Sequence, residues 1–299
     1  MKVLVTGSAG RVGRAIYIKL MAHHQVVGFD KTPCSTADFV GDIRDSQLLN
    51  QALHGVEVII HTAALHAPHV GRVDDCAFHS INVDATEQLA LAGIDAGVKH
   101  FVFTSTTALY GYASTPEGVA GWVTENTQPQ PKSIYHHSKI LAEQKLAEIA
   151  KRFDLPVTVL QMSRCFPEPA DLMAVYRLTR GIDARDVASA HLCAVERRLP
   201  GFQRFIVSGE TPFSPADCKR LYLNAAEMIS ERCPGLLSAF EQRDWALPDS
   251  LDRVYDSSAA AQHLGWRSEH GFEQVLEMLD AEFAEVLPAI NQYRDTRAQ

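Results

Sequence analysis

What most constrains this chain is the alternation of short, wholly apolar strand-like runs with helical stretches. Val3–Thr6, Val26–Asp30, Val56–His61, Phe101–Ser105, Val157–Gln161 and Phe205–Ser208 read as strands. Helical patterns fall at about Gly13–His23, Asn82–Ala96 and Ile134–Phe153. Runs that are apolar throughout, rather than every second residue, are required when helices cover both faces of a parallel sheet. Repeated strand–helix alternation therefore predicts an α/β protein with a doubly wound parallel sheet. Beyond Gly209 the alternation fades into helical segments, Ala216–Arg232 and Gly271–Val286, separated by Pro- and Ser-containing loops. A smaller, mostly helical subdomain is expected there, and the tail Tyr293–Gln299 is expected to fray.

Composition enters as a set of exclusions. With 299 residues, 46% of them hydrophobic, the chain can bury a core that needs neither disulfide nor metal. A net charge of −8 and the lack of any long basic stretch argue against nucleic acid or an anionic membrane surface as partner. The six cysteines are scattered without a CxxC pair, which suits free thiols in a reducing, cytoplasmic setting. The chain opens on a strand, so no leader segment is expected ahead of it. No apolar run approaches the roughly 20 residues that span a bilayer.

The first strand runs directly into Thr6-Gly7-Ser8-Ala9-Gly10-Arg11-Val12-Gly13 and then a helix. Gly7 would allow a tight turn, Gly10 the approach of a pyrophosphate, and Gly13 close packing of helix on strand. Helix N-terminal amides would face the phosphates. Asp30 ends the second strand, where a carboxylate accepts hydrogen bonds from adenosine ribose hydroxyls and repels a 2′-phosphate, selecting NAD over NADP. Lys31 and Arg11 lie close enough in sequence to soften that selection. Asp42, in GDIRD, falls where an adenine-edge contact is expected.

TGSAGRVG, the acidic strand end, GDIRD, IIHTAA and NVDAT together resemble the successive blocks of the extended short-chain dehydrogenases/reductases, the epimerase/dehydratase family. The likeness covers about the first two thirds of the chain and implies a Rossmann domain over residues 1–208, with a short substrate-side excursion at about 164–180. Residues 209–299 would form the substrate-binding subdomain. It further implies that Gly7, Gly10, Arg11, Val12, Gly13, Asp30, Asp42, Ile43, Ala63 and Lys139 bind the cofactor, and that Asn82 braces the sheet. Ala85 stands where the family has glycine.

FVFTS continues into Thr106-Thr107-Ala108-Leu109-Tyr110-Gly111, similar to the family's S-S/T-x-x-x-Y-G block, which puts Thr106 at the catalytic hydroxyl with Ser105 beside it. Tyr135-His136-His137-Ser138-Lys139 matches the family's YxxxK. A spacing of four on a helix puts Tyr135 and Lys139 on one face, so the ammonium is expected to lower a phenol pKa that is about 10 unperturbed. Tyr135 would then take the proton of a substrate hydroxyl while hydride leaves the same carbon, with Thr106 and Ser105 binding the substrate oxygen.

The substrate is less legible. Met162–Pro169 lacks the Arg-x-x-Asn block of many nucleotide-sugar enzymes, and a very short connection leads to Arg185-Asp186-Val187-Ala188. CFPEP resembles uronate dehydrogenases of the same superfamily, which implies that Arg164, Arg177 or Arg180 pairs with a carboxylate. Thirteen histidines invite a metal, but HxxxxHxxH from His61 to His69 in a Pro-containing loop does not supply converging ligands, and none is expected. His66 and His69 could line the substrate entrance, but a solvated loop is the expectation. The expectation is an NAD-dependent oxidoreductase acting on a secondary alcohol or carbonyl of a sugar-like or small polar substrate. A nucleotide-sugar epimerase or dehydratase with retained NAD, and a non-catalytic dinucleotide sensor, are the alternatives. The family likeness also implies a homodimer through the helices Asn82–Ala96 and Tyr135–Lys151.

Overall fold

The computed structural model describes residues 1–291, and the tail Tyr293–Gln299 lies outside them. The described residues form nine strands: β1 (Lys2–Thr6), β2 (Gln25–Asp30), β3 (Phe39–Val40), β4 (Val58–His61), β5 (His100–Thr106), β6 (Gly121–Val123), β7 (Val157–Met162), β8 (Phe202–Val207) and β9 (Arg253–Tyr255). Seven of them make one parallel sheet in the order β3-β2-β1-β4-β5-β7-β8, while β6 and β9 pair as a separate parallel ribbon. The chain winds outward one way from β1 and the other way from β4. That reversal opens a crevice at the carboxyl ends of the strands, where doubly wound sheets bind ligands.

Alternate residues of each strand enter opposite cores, which is why the runs had to be apolar throughout. Val3, Val5, Val58, Ile60 and Val102 pack with Ile16 and Leu20 of the helix Arg11–Met21 and Val187 of the helix Ala184–Arg197. Leu4, Ile59, Phe101, Phe103 and Val159 pack on the other side with Leu49, Leu89 and Leu146. A third core, built from Leu221, Met228, Phe240 and Val275, also takes in Ala120, Ala170, Met173 and Val175. It joins the helix Ala170–Arg177 to the C-terminal helices and places them beside the crevice. Among the described residues, no helix is long and apolar enough to cross a membrane.

Three expected helices differ from those observed, each for a local reason. The expected Asn82–Ala96 helix is preceded by Asp75–His79 and a π turn, Ser80–Asp84, and continues as Ala85–Asp95. Within that turn Asn82 bonds the backbone of Leu65 in both directions, at 2.8 and 2.9 Å. The expected Ala216–Arg232 helix is broken at Asn224 (φ −145, ψ 55) into Cys218–Leu223 and Ala225–Arg232. Gly271–Val286 shortens to Phe272–Asp280, because Glu282 adopts φ 56 and the Phe283 amide turns back to the Met278 carbonyl at 2.9 Å. β9, in a region read as helical, was not expected.

Candidate active site

At the carboxyl edge of the sheet lies a cleft of about 850 Å³ that runs from the glycine turn after β1 to Arg253 and Tyr255 on β9. Gly7 sits at φ +70, and a Cβ there would fall 2.6 Å from the Thr62 hydroxyl and 2.7 Å from the Ala63 amide nitrogen. A Cβ on Gly13 would lie 2.0 Å from the Gly7 carbonyl oxygen, so the helix can approach the turn only without one. Arg11, Val12, Ile43 and Ala63 also line this end of the cleft. Asp30 projects beside the turn, its Oδ2 accepting from the Ala9 amide at 2.9 Å and its Oδ1 from the Thr32 amide at 2.8 Å. Two buried nitrogens of Arg11, Nε and Nη1, have no partner among the described residues. A glycine turn against a helix N-terminus and a carboxylate at the end of β2 fit a dinucleotide. The Asp42 carboxylate is engaged by Arg44 at 2.6 and 2.9 Å, and the Arg44 hydrogen bonds hold it down at about 2.

Midway along the cleft, β5 delivers Thr106 and the helix Ile134–Phe153 delivers Tyr135 and Lys139. Ser133 caps that helix by accepting from the His136 amide, which fixes Tyr135 in its first turn. The Thr106 side chain lies beside the Tyr135 phenol and favours its ionised form. Lys139 Nζ donates to the Thr104 carbonyl at 2.8 Å and lies 3.9 Å from the centre of the Phe103 ring. Asn82 holds this assembly to the loop after β4, since its Nδ2 also donates to Ser138 Oγ at 2.9 Å.

The expected lowering of the Tyr135 phenol is not what this arrangement produces. Burial pushes the phenol up to about 12, opposed only by the Thr106 side chain. Lys139 has its ammonium on a carbonyl and a ring face, and burial brings its own pKa down to about 7 against the pull of Glu143. Ser105, expected beside the substrate oxygen, lines the cleft, but its hydroxyl is engaged by Glu143. Strand alternation turns it to the opposite side from Thr106, where its hydroxyl donates to Glu143 Oε1 at 2.5 Å. Gln161 and Arg204 complete that buried cluster around Glu143. His61 is likewise a brace, wedged between the Thr6 and Thr86 hydroxyls at 2.7 and 2.9 Å, where burial takes its pKa down to about 3.

The three arginines read as carboxylate ligands separate cleanly. Arg177 is 2% exposed and paired with Asp183 at 3.1 Å, so it cannot reach a substrate. Arg164 is paired with Glu168 at the rim. Arg180 lines the cleft, donating to Asp252 at 3.0 and 3.1 Å with its guanidinium 4.4 Å from the Tyr176 ring centre. Arg253 was not anticipated. It shares the same Asp252, at 2.6 and 3.0 Å, and donates to Ser114 Oγ at 3.1 Å. Two guanidinium groups around one carboxylate leave this end of the cleft with an excess positive charge. His66, expected in a solvated loop, is half-buried in the cleft wall and stacks with Phe166 at 6.2 Å.

The sequence profile of the NAD dependent epimerase/dehydratase family matches residues 3–169. UDP-glucose 4-epimerase of Rhizobium meliloti is 27% identical across 92% of this chain and 94% of its own length. A 3 beta-hydroxysteroid dehydrogenase/Delta 5-->4-isomerase of Mycobacterium tuberculosis is 33% identical, over 48% of this chain and 41% of its own. Among solved structures, a short-chain dehydrogenase/reductase superfamily protein from Agrobacterium tumefaciens with bound NAD superposes with a TM-score of 0.68 at 22% identity, covering 100% of this chain and 98% of that one. The UDP-glucose 4-epimerase of Thermotoga maritima gives 0.69 at 20% identity and covers 100% of both chains.

Proposed function

The chain belongs to the NAD dependent epimerase/dehydratase family, and from that premise we propose that it oxidises a secondary alcohol on a sugar-like, polar substrate. The observation that carries this reading is the Thr106–Tyr135 hydroxyl pair, with Lys139 one helical turn further on, opening into the cleft at the end of β5. NAD, when bound, would supply the hydride acceptor for that oxidation. Tyr135 takes the proton of the reacting hydroxyl, and Thr106 donates a hydrogen bond to the same oxygen. Lys139 stands at a pKa of about 7, so near neutral pH it can hold or release a proton beside the phenol. The glycine turn and Arg11 would hold the pyrophosphate, and Asp30 would hold the adenosine ribose. The positive end formed by Arg180 and Arg253 supports a substrate that carries an anionic group.

A second reading, an epimerase that returns the hydride to the same substrate, is favoured by the match to UDP-glucose 4-epimerase along nearly its whole length. A spectrophotometric screen separates the two. Purified protein with NAD⁺ and free sugar acids, simple sugars or alcohols is expected to accumulate NADH. Product change in a nucleotide sugar without net NADH would establish the epimerase instead.

Cofactor choice gives a further expected result. Asp30→Ala should weaken NADH binding by about 10- to 100-fold, the effect of a hydrogen bond to a charged group, and weaken NADPH binding far less. Because Asp30 also bonds the Ala9 and Thr32 amides, the ratio of the two affinities is the readout. Equal losses for both cofactors would mean that Asp30 only shapes the turn.

A further inference from the structure

The segment after the last helix reaches across the molecule to the glycine turn. It is pinned on the way by the buried Val286 and by Leu287, whose amide donates to the Glu168 carbonyl and whose carbonyl accepts from the Ala170 amide, both at 3.0 Å. Glu285, next to Val286, forms an ion pair with Arg11 Nη2. Arg11 is the first residue of the helix Arg11–Met21 and lines the cleft, and its Nε and Nη1 are the buried donors left without a partner. Arg11 Nη2 is thus committed to the strap, and Arg11 lines the end of the cleft where the glycine turn would receive a diphosphate.

We propose that Glu285 is a positioning residue of the cofactor site, holding the Arg11 guanidinium over the pyrophosphate end of the cleft so that the C-terminal strap slows dinucleotide release. The proposal rests on the NAD reading of that cleft. Two effects oppose each other here. Fixing a long, flexible side chain in its binding geometry removes the entropy of ordering it and retards release. The Glu285 carboxylate also reduces the net charge that Arg11 presents, which would hasten release. Pre-organisation is the effect we take to dominate, because the ion pair fixes the Arg11 side chain in the wall of the cleft. The strap also ties Arg11 to the loop through Glu168 that carries Arg164 and Phe166, so cofactor retention and the substrate side of the cleft share one support.

The test is the NADH dissociation rate of the full-length chain, followed by stopped-flow fluorescence. Glu285→Gln is expected to release NADH about tenfold faster, in line with loss of one charge-assisted hydrogen bond. Glu285→Asp should fall between Glu285→Gln and wild type. In an Arg11→Met background the Glu285→Gln change should have no further effect, because the residue acts through Arg11. An unchanged or slower release in Glu285→Gln, or an equal effect with Arg11 removed, would overturn the proposal. Failure of the wild-type chain to bind NADH would instead overturn the cofactor reading and the proposal with it.

Discussion

Tyr135→Phe is expected to reduce turnover by about 10²- to 10⁴-fold while leaving NADH binding unchanged. The substitution removes one oxygen from a side chain that is 9% exposed, so the ring still fills its place beside Leu65 and Phe78. What disappears is the group able to take the substrate proton. The same phenol sets the pH dependence. Its pKa of about 12 means that the phenolate fraction falls about tenfold for each pH unit below that value. Oxidation should therefore accelerate as pH rises through the alkaline range. Thr106→Val should slow the reaction and move this limb further up, since the Thr106 side chain is the one influence that opposes burial. Full activity in Tyr135→Phe, measured by NADH formation, would sink the assignment. A flat pH profile would show that the proton leaves by another group.

The parts of this site visible in the sequence are those that a strand end or a single helical turn fixes locally. Gly7, Gly10 and Gly13 follow β1 directly, Asp30 closes β2, and Tyr135 and Lys139 are one turn apart on the same helix. Ser105 misled because adjacency in a strand means opposite faces, and nothing local tells which of two neighbouring hydroxyls Glu143 engages. Arg253 was out of reach for a different reason. It enters the cleft only because β9 pairs with β6, and three-residue strands within a helical region carry no periodic signal. Glu285 depends on a chain reversal after Asp280 and on bonds from Leu287 to Glu168 and Ala170. His66 owes its partial burial to Phe166, far away in the chain but across the cleft in space. Long-range pairing decides each of these, and the pattern of one segment cannot encode it.

Asp183→Ala should be the more damaging half of the buried Arg177–Asp183 pair, lowering stability by about 3–5 kcal/mol. Arg177 is 2% exposed and its Nε already lacks a partner, so removing Asp183 leaves a cation in the core with no opposite charge bonded to it. The same substitution also deletes the cap of the helix Ala184–Arg197, where Asp183 accepts from the Arg185 amide at 3.0 Å. Arg177→Met is expected to cost much less. Asp183 would keep the Arg185 side chain at 2.9 and 3.0 Å, and a methionine fills similar space without a charge to desolvate. Burial alone would raise the Asp183 carboxyl, but the Arg185 hydrogen bonds and the Arg177 charge outweigh it and hold the group at about 2. A carboxylate depressed in the folded state contributes stability above its unfolded pKa of about 3.9, and that contribution is lost as pH falls toward 2. Thermal melts at neutral pH should place Asp183→Ala on the order of 10 °C below wild type, with Arg177→Met between them. At pH near 3 the gap between wild type and Asp183→Ala should narrow. The reverse order would mean that Arg177 is solvated enough to stand alone, and would return it to the set of arginines available to a substrate anion.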